Sequence, residues 1–290
     1  MTYTNPQYLI STQDLAARIS QQDESLLIFD ATIHLVPAEK GYKAVSGLED
    51  YQKGHIPGAV FMDLMANFAD KDSKFNFMMP SDTHLQESYR ALGVNNNAQI
   101  VIYATGHMMW ATRAWWMLHS LGHKNVSVLD GGFAKWQAEN RSTSDHVTKP
   151  QKGDFTPQRN QSMWADKNEV LTAIEDSDVC TINALSPDVY SGEAKMHYGR
   201  KGHITGSINV FYDDVLDEGC FRSAEDLTTL FKANGTLDKP KTITYCGGGI
   251  SATIDALALA LIGYETVAVY DGSMGEWAAD ENLPLTAGKD

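Results

Sequence analysis

Gly54-His55-Ile56-Pro57-Gly58-Ala59 returns 148 residues later as Gly202-His203-Ile204-Thr205-Gly206-Ser207. Two more landmarks repeat in the same order. Ile100-Val101-Ile102-Tyr103 returns as Thr242-Ile243-Thr244-Tyr245 at an offset of 142, and Val128-Leu129-Asp130-Gly131 as Val269-Tyr270-Asp271-Gly272 at 141. Trp136 and Trp277 each stand five residues past the final glycine of that landmark. Self-similarity at a nearly constant offset marks a duplicated unit. The chain therefore reads as two homologous domains, 1–140 and 163–290, joined over 141–162. That joint is polar, carries Pro150, Gly153 and Pro157, and has neither helical nor strand periodicity.

Within each half, short apolar runs alternate with helical patterns. Runs 26–29, 100–103 and 126–129 match 179–182, 242–245 and 266–270. Unbroken apolar runs of this length suit parallel strands buried on both faces. Helical patterns over 111–121 and 251–262 end at Gly122 and Gly263, where helix C-caps favour glycine. The predicted fold class is α/β: two domains, each a central, mostly parallel sheet with helices on both faces.

Bulk properties narrow the function. The chain of 290 residues is 43% hydrophobic and 21% charged, as expected of a globular protein with a sizeable core. A net charge of −14 argues against nucleic acid or an anionic membrane as partner. Met1 to Gln13 show no basic start or apolar stretch, and no run of about 18 apolar residues could span a bilayer. Three cysteines, Cys180, Cys220 and Cys246, have no metal-like spacing. The expectation is a cytoplasmic protein with reduced thiols and no metal site.

The chemistry concentrates in Thr244-Tyr245-Cys246-Gly247-Gly248-Gly249-Ile250-Ser251-Ala252-Thr253. A strand runs into a cysteine, then three glycines, then a helix. The carboxyl end of a parallel strand faces the crevice where α/β sheets bind ligands. Consecutive glycines let the loop of Gly247, Gly248, Gly249, Ile250 and Ser251 turn several N–H groups toward one sulfur. A free thiol titrates near pH 8.5, and a helix terminus supplies only about 0.3–1 kcal/mol, so amide donors must do most of the work of keeping a sulfur anionic. Cys180 sits mid-strand and reads as a core residue; Cys220 sits in a polar loop.

At this loop the sequence resembles the rhodanese superfamily, and in particular its tandem-domain thiosulfate and 3-mercaptopyruvate sulfurtransferases. The landmarks are the two Gly-His-Ile segments, Arg113-Ala114-Trp115-Trp116, Gly131-Gly132-Phe133 and the Cys246 loop. The resemblance implies a silent first domain, with Ala104 in the cysteine's place, and a catalytic second domain with Cys246 as nucleophile. It implies no cofactor. It implies sulfane sulfur moving from a small anionic donor, thiosulfate or 3-mercaptopyruvate, through a Cys246 persulfide to a thiol (a small thiol or a thioredoxin-like protein) or to cyanide. Relatives that handle phosphate have a longer loop ending in arginine, whereas Ala252 stands six residues after Cys246.

Several positions depart from the pattern. Family arginines fall on Leu185 and Val189, a family Asp and His fall on Met65 and Phe77, and a tryptophan falls near Ile33. Lys195, His197, Arg200, Lys201 and His203 cluster within nine residues. Either Arg200 or Lys201 faces the Cys246 pocket and binds the donor, or the cluster is a solvated basic loop. His203 is expected to hold its loop's backbone, as its counterpart His55 would. A persulfide carrier or partner-docking module with negligible turnover stays open as an alternative.

Overall fold

A computed structural model describes residues 2–38 and 41–288. The outer limits 1 and 290 of the two expected domains lie outside the described residues. In the first domain five strands form one sheet: β1 (Leu9–Ile10), β2 (Leu26–Asp30), β3 (Val60–Phe61), β4 (Gln99–Tyr103) and β5 (Val126–Leu129), in the order β1-β5-β4-β2-β3 with every pairing parallel. The second domain repeats it with β6 (Trp164–Ala165), β7 (Val179–Asn183), β8 (Ile208–Asn209), β9 (Lys241–Tyr245) and β10 (Val267–Tyr270), in the order β6-β10-β9-β7-β8, again all parallel. The two orders are identical, as duplication requires.

Central strands are the apolar runs seen in the sequence. Ile100, Val101, Ile102 and Tyr103 are all buried in β4, and Thr242, Ile243, Thr244 and Tyr245 in β9. A strand covered on both faces cannot alternate polar with apolar residues. The tyrosine ending each run has one job in both domains. Tyr103 Oη accepts from Ile56 N at 3.2 Å, and Tyr245 Oη from Ile204 N at 3.0 Å. The Gly-His-Ile histidines also match: Nδ1 of His55 pairs with Tyr51 O (2.6 Å) and Nδ1 of His203 with Tyr190 O (2.9 Å), each ring stacked on that tyrosine.

Helices α1 (Met109–Ser120) and α2 (Gly132–Ala138) in the first domain correspond to α3 (Ala252–Leu261) and α4 (Ser273–Trp277) in the second. Glycines 122 and 263, after α1 and α3, both adopt φ +87°, the left-handed turn that ends a helix. Across the domain boundary α1 packs on α3, and the contact is reciprocal. Thr112 Oγ1 meets its own counterpart, Thr253 Oγ1, at 2.8 Å. Met79 N donates to Asp271 (2.7 Å) while Phe221 N donates to Asp130 (2.9 Å). Such pairing, in which equivalent residues exchange partners, is that of a twofold-related dimer. A single apolar core runs through this contact, from Trp110 and Ala114 to Ala256 and Leu257.

The joint has no helix or strand from 141 to 160, but it is strapped to the first domain. Ser144 pairs with His55, Gly153 N donates to Arg90 O (2.8 Å), Phe155 is buried, and Asn160 N reaches Ser120 O (2.7 Å).

Candidate active site

Cys246 follows the last residue of β9, the central strand of the second sheet, and so stands at the sheet's carboxyl edge, where α/β folds bind ligands. Ala104 follows β4 in the same way. The two positions share a backbone contact: Met274 N donates to Cys246 O (3.0 Å) and Phe133 N to Ala104 O (3.2 Å). The sulfur position is thus occupied in one domain only.

Past Cys246 the chain turns within six residues into α3. Gly249 has φ +70°, and a Cβ there would stand 2.7 Å from Asp271 O. Both facts require glycine. Gly247 is required for another reason: its Cβ would lie 2.1 Å from Oη of Tyr198. Two loop N–H groups, those of Cys246 and Gly249, donate to Ser273 Oγ at 3.1 and 3.0 Å, while Ser273 donates to Tyr270 O at 2.7 Å. The N–H groups of Gly247, Gly248, Ile250 and Ser251 have no acceptor among the described residues. Amides without acceptors, beside the positive end of a ten-residue helix, are the kind of group that can hold an anion.

The first domain supplies the back of this loop. Arg113, 2% exposed, ion-pairs with Asp271 at 2.7 Å, donates to Gly249 O (3.1 Å) and Phe77 O (2.6 Å), and lies over the Trp164 ring. In sequence Arg113 was only a landmark. The structure makes it a brace reaching from one domain into the other's loop.

Of the substrate-binding residues expected from sequence, Arg200 is the main correction. Its guanidinium donates to the carbonyls of Trp277 (3.2 Å), Ala278 (3.2 Å), Asp280 (2.7 Å) and Leu283 (3.0 Å), fastening the C-terminal segment. A guanidinium committed to four carbonyls has little left to bind a donor. Lys201 is exposed, its Cβ beside Gly192. Leu185 is buried and Val189 half-buried, so the two positions where the resemblance leads one to expect arginine are apolar.

Two tyrosines lie near Cys246 instead, with a histidine packed on one of them, and sequence reading singled out none of the three. Tyr198 presses on Gly247. Its phenol is pushed far above the usual tyrosine range by burial and then by the nearby Cys246 sulfur, and Tyr212 is raised by burial, Asp213 and Cys246. His107, from the first domain's loop, meets the Tyr212 ring edge-on at 4.9 Å, and burial lowers its pKa. Beneath them Asp255 in α3 is fully buried. Neither of its carboxyl oxygens has a hydrogen-bond partner among the described residues, and burial, followed by Cys246 and Asp214, drives its pKa well above the carboxylate range. Cys246 itself is 2% exposed, so reaching the sulfur requires the groups over it to move.

The remaining cysteines are elsewhere. Cys180 is buried in β7 near Thr236, its pKa raised by burial. Cys220 is half-buried in a short antiparallel ribbon, Leu216–Asp217 against Cys220–Phe221, rather than in a loop.

Residues 11–139 and 166–280 each match the family described as Rhodanese-like domain. The chain is 33% identical over 266 residues to the 3-mercaptopyruvate sulfurtransferase of Escherichia coli K12, covering 91% of this chain and 92% of that one. It is 31% identical over 277 residues to the thiosulfate sulfurtransferase of Rattus norvegicus, covering 93% and 91%. The crystal structure of SseA, a 3-mercaptopyruvate sulfotransferase from Escherichia coli, superposes with a TM-score of 0.81 at 30% identity, over 92% of this chain and 98% of that one.

Proposed function

The chain belongs to the rhodanese-like domain family, in two copies, and on that footing we propose that it is a sulfurtransferase carrying sulfur as a persulfide on Cys246. The observation that carries this reading is the loop after one cysteine at the end of a central strand: four of its N–H groups have no acceptor among the described residues.

In the first half-reaction the Cys246 thiolate attacks the outer sulfur of a sulfane donor. The bond from that sulfur to the rest of the donor breaks, and the remainder leaves with the electron pair. In the second, an acceptor thiolate or cyanide attacks the outer sulfur of the persulfide and regenerates the Cys246 thiolate. This is covalent catalysis by an activated cysteine. The N–H groups of Gly247, Gly248, Ile250 and Ser251 hold the anionic sulfur between the two steps, while Gly249 N–H stays bound to Ser273. Ala104 leaves the first domain without a nucleophile, so its part is structural. Names of the relatives point to thiosulfate and 3-mercaptopyruvate as the donors to assay.

Cys246→Ser is expected to lower sulfur transfer at least about a thousandfold with an unchanged circular dichroism spectrum. Retained turnover in that variant refutes the assignment. A second reading, a persulfide carrier with negligible turnover, draws support from the apolar Leu185 and Val189. A one-sulfur adduct of about 32 Da on Cys246, without multiple turnover on any donor, would favour it.

A further inference from the structure

The rim of Cys246 is neutral where a small dianion would need positive charge. Arg113 and Arg200 are committed to Asp271 and to main-chain carbonyls, and Leu185 and Val189 bring none. Tyr198, against Gly247, and Tyr212 lie near the sulfur instead, and His107 packs edge-on against Tyr212. The two phenols stay protonated and the imidazole stays neutral near pH 7, given the directions in which burial moves them. Met109 N donates to His107 Nδ1 at 3.1 Å, which leaves the ring proton on Nε2. Each of the three groups thus offers one hydrogen-bond donor, and none has an acceptor among the described residues. Nearby charge is negative: Asp213 acts on both Tyr212 and His107, and Asp214 lies near Asp255. A doubly charged donor entering here loses its hydration, meets carboxylates, and finds hydrogen-bond donors, while Arg113 and Arg200 are already committed.

We propose that this rim selects sulfane sulfur carried on an uncharged organic thiol, an alkyl or aryl hydropersulfide, over a dianion such as thiosulfate, with Tyr198 as the specificity-determining residue. The inference rests on Cys246 being the sulfur carrier. The thiolate attacks the terminal sulfur of R–S–SH. A Cys246 S–S bond forms as the donor's own S–S bond breaks, and RS⁻ leaves with the electron pair. The hydrogen stays on the transferred sulfur, and no oxidant or reductant enters. Tyr198 Oη–H donates a hydrogen bond to the departing thiolate without releasing its proton, and its ring forms the apolar wall against which the R group lies.

The experiment compares kcat/KM for thiosulfate and for an uncharged alkyl hydropersulfide released in situ, with one thiol acceptor, in wild type, Tyr198→Phe and Tyr198→Ala. Wild type is expected to favour the hydropersulfide about tenfold or more, and Tyr198→Ala to bring the ratio within about threefold. Tyr198→Phe keeps the wall and loses the donor, so kcat for the hydropersulfide falls about three- to tenfold with KM little changed. Tyr198→Ala also uncovers Gly247, and iodoacetamide labels Cys246 several-fold faster. A wild-type preference for thiosulfate, or a ratio unmoved in a folded Tyr198→Ala, overturns the proposal. Should Tyr198→Ala fail to fold, an unmoved kcat in Tyr198→Phe overturns it equally. Intact mass separates the two levels: a Cys246 adduct with an unmoved ratio removes only the role of the rim. No adduct with any donor removes the sulfur-carrier reading and this inference together.

Discussion

At the scale of single residues, Ser273 shows how the loop is held. It sits at φ +48°, a conformation that costs a non-glycine residue about 1–2 kcal/mol, where the first domain has Gly132 at φ +56°. The strain places Oγ under two loop amides. Ser273→Ala keeps the strain and orphans two buried N–H groups, so a loss of about 1–3 kcal/mol is expected, with slower iodoacetamide labelling of Cys246. Ser273→Gly loses the same bonds but relieves the backbone, so its urea midpoint should lie between wild type and Ser273→Ala. Asp255 has the opposite character, being a buried carboxyl with nothing to bind. Its folded pKa is raised, so the stability of its protonated form is complete below the unfolded carboxyl pKa of about 3.9 and is lost as pH rises toward the folded value. Asp255→Val should stabilise the protein by about 1–3 kcal/mol, and the gap between the two urea midpoints should be wider at pH 8 than at pH 5. An equal gap at both pH values would show that Asp255 is ionised in the fold. Cys246 was legible in sequence because strand, cysteine, glycines and helix lie in ten consecutive letters. Tyr198, Ser273 and Asp255 were not, because each acts across a separation that only folding closes.

At the scale of elements, long buried strands and the helix ends at Gly122 and Gly263 were readable, since both follow from local composition. The edge strands Leu9–Ile10, Val60–Phe61, Trp164–Ala165 and Ile208–Asn209 were not. Two residues carry no periodicity, and pairing with a longer neighbour defines them. The same limit hid what α1 does. Its Arg113 is a sequence landmark, yet nothing in Arg113-Ala114-Trp115-Trp116 says that the guanidinium crosses to Gly249 and Asp271. Arg113→Met should destabilise the protein by about 3–5 kcal/mol by leaving Asp271 buried without its partner, and kcat should fall as the loop loses its brace. If thermal unfolding moved little, the ion pair would be shown to contribute nothing to the boundary.

For the molecule as a whole, duplication fixed the interface as well as the fold. Asp130 and Asp271 occupy equivalent places and accept from equivalent amides, Phe221 and Met79, but only Asp271 has an arginine. This pair of hydrogen bonds is symmetric, while the charge beside it is not. Asp271→Asn should cost about 3–5 kcal/mol and Asp130→Asn about 1 kcal/mol, read from paired urea melts. Equal losses would mean that the cation is immaterial. Repeat offsets made the two domains visible, but they could not show that the joint is strapped to the first domain or that Arg200 fastens the C-terminal segment.

Contact between Gly247 and Tyr198 constrains the order in which this protein can change. The tyrosine oxygen occupies the space that any larger residue at 247 would need. A larger side chain there forces Tyr198 off Gly247, whereas shrinking Tyr198 first opens the way. The same substitution at 247 is thus tolerated or damaging according to what stands at 198, so the two positions are free to vary only in concert.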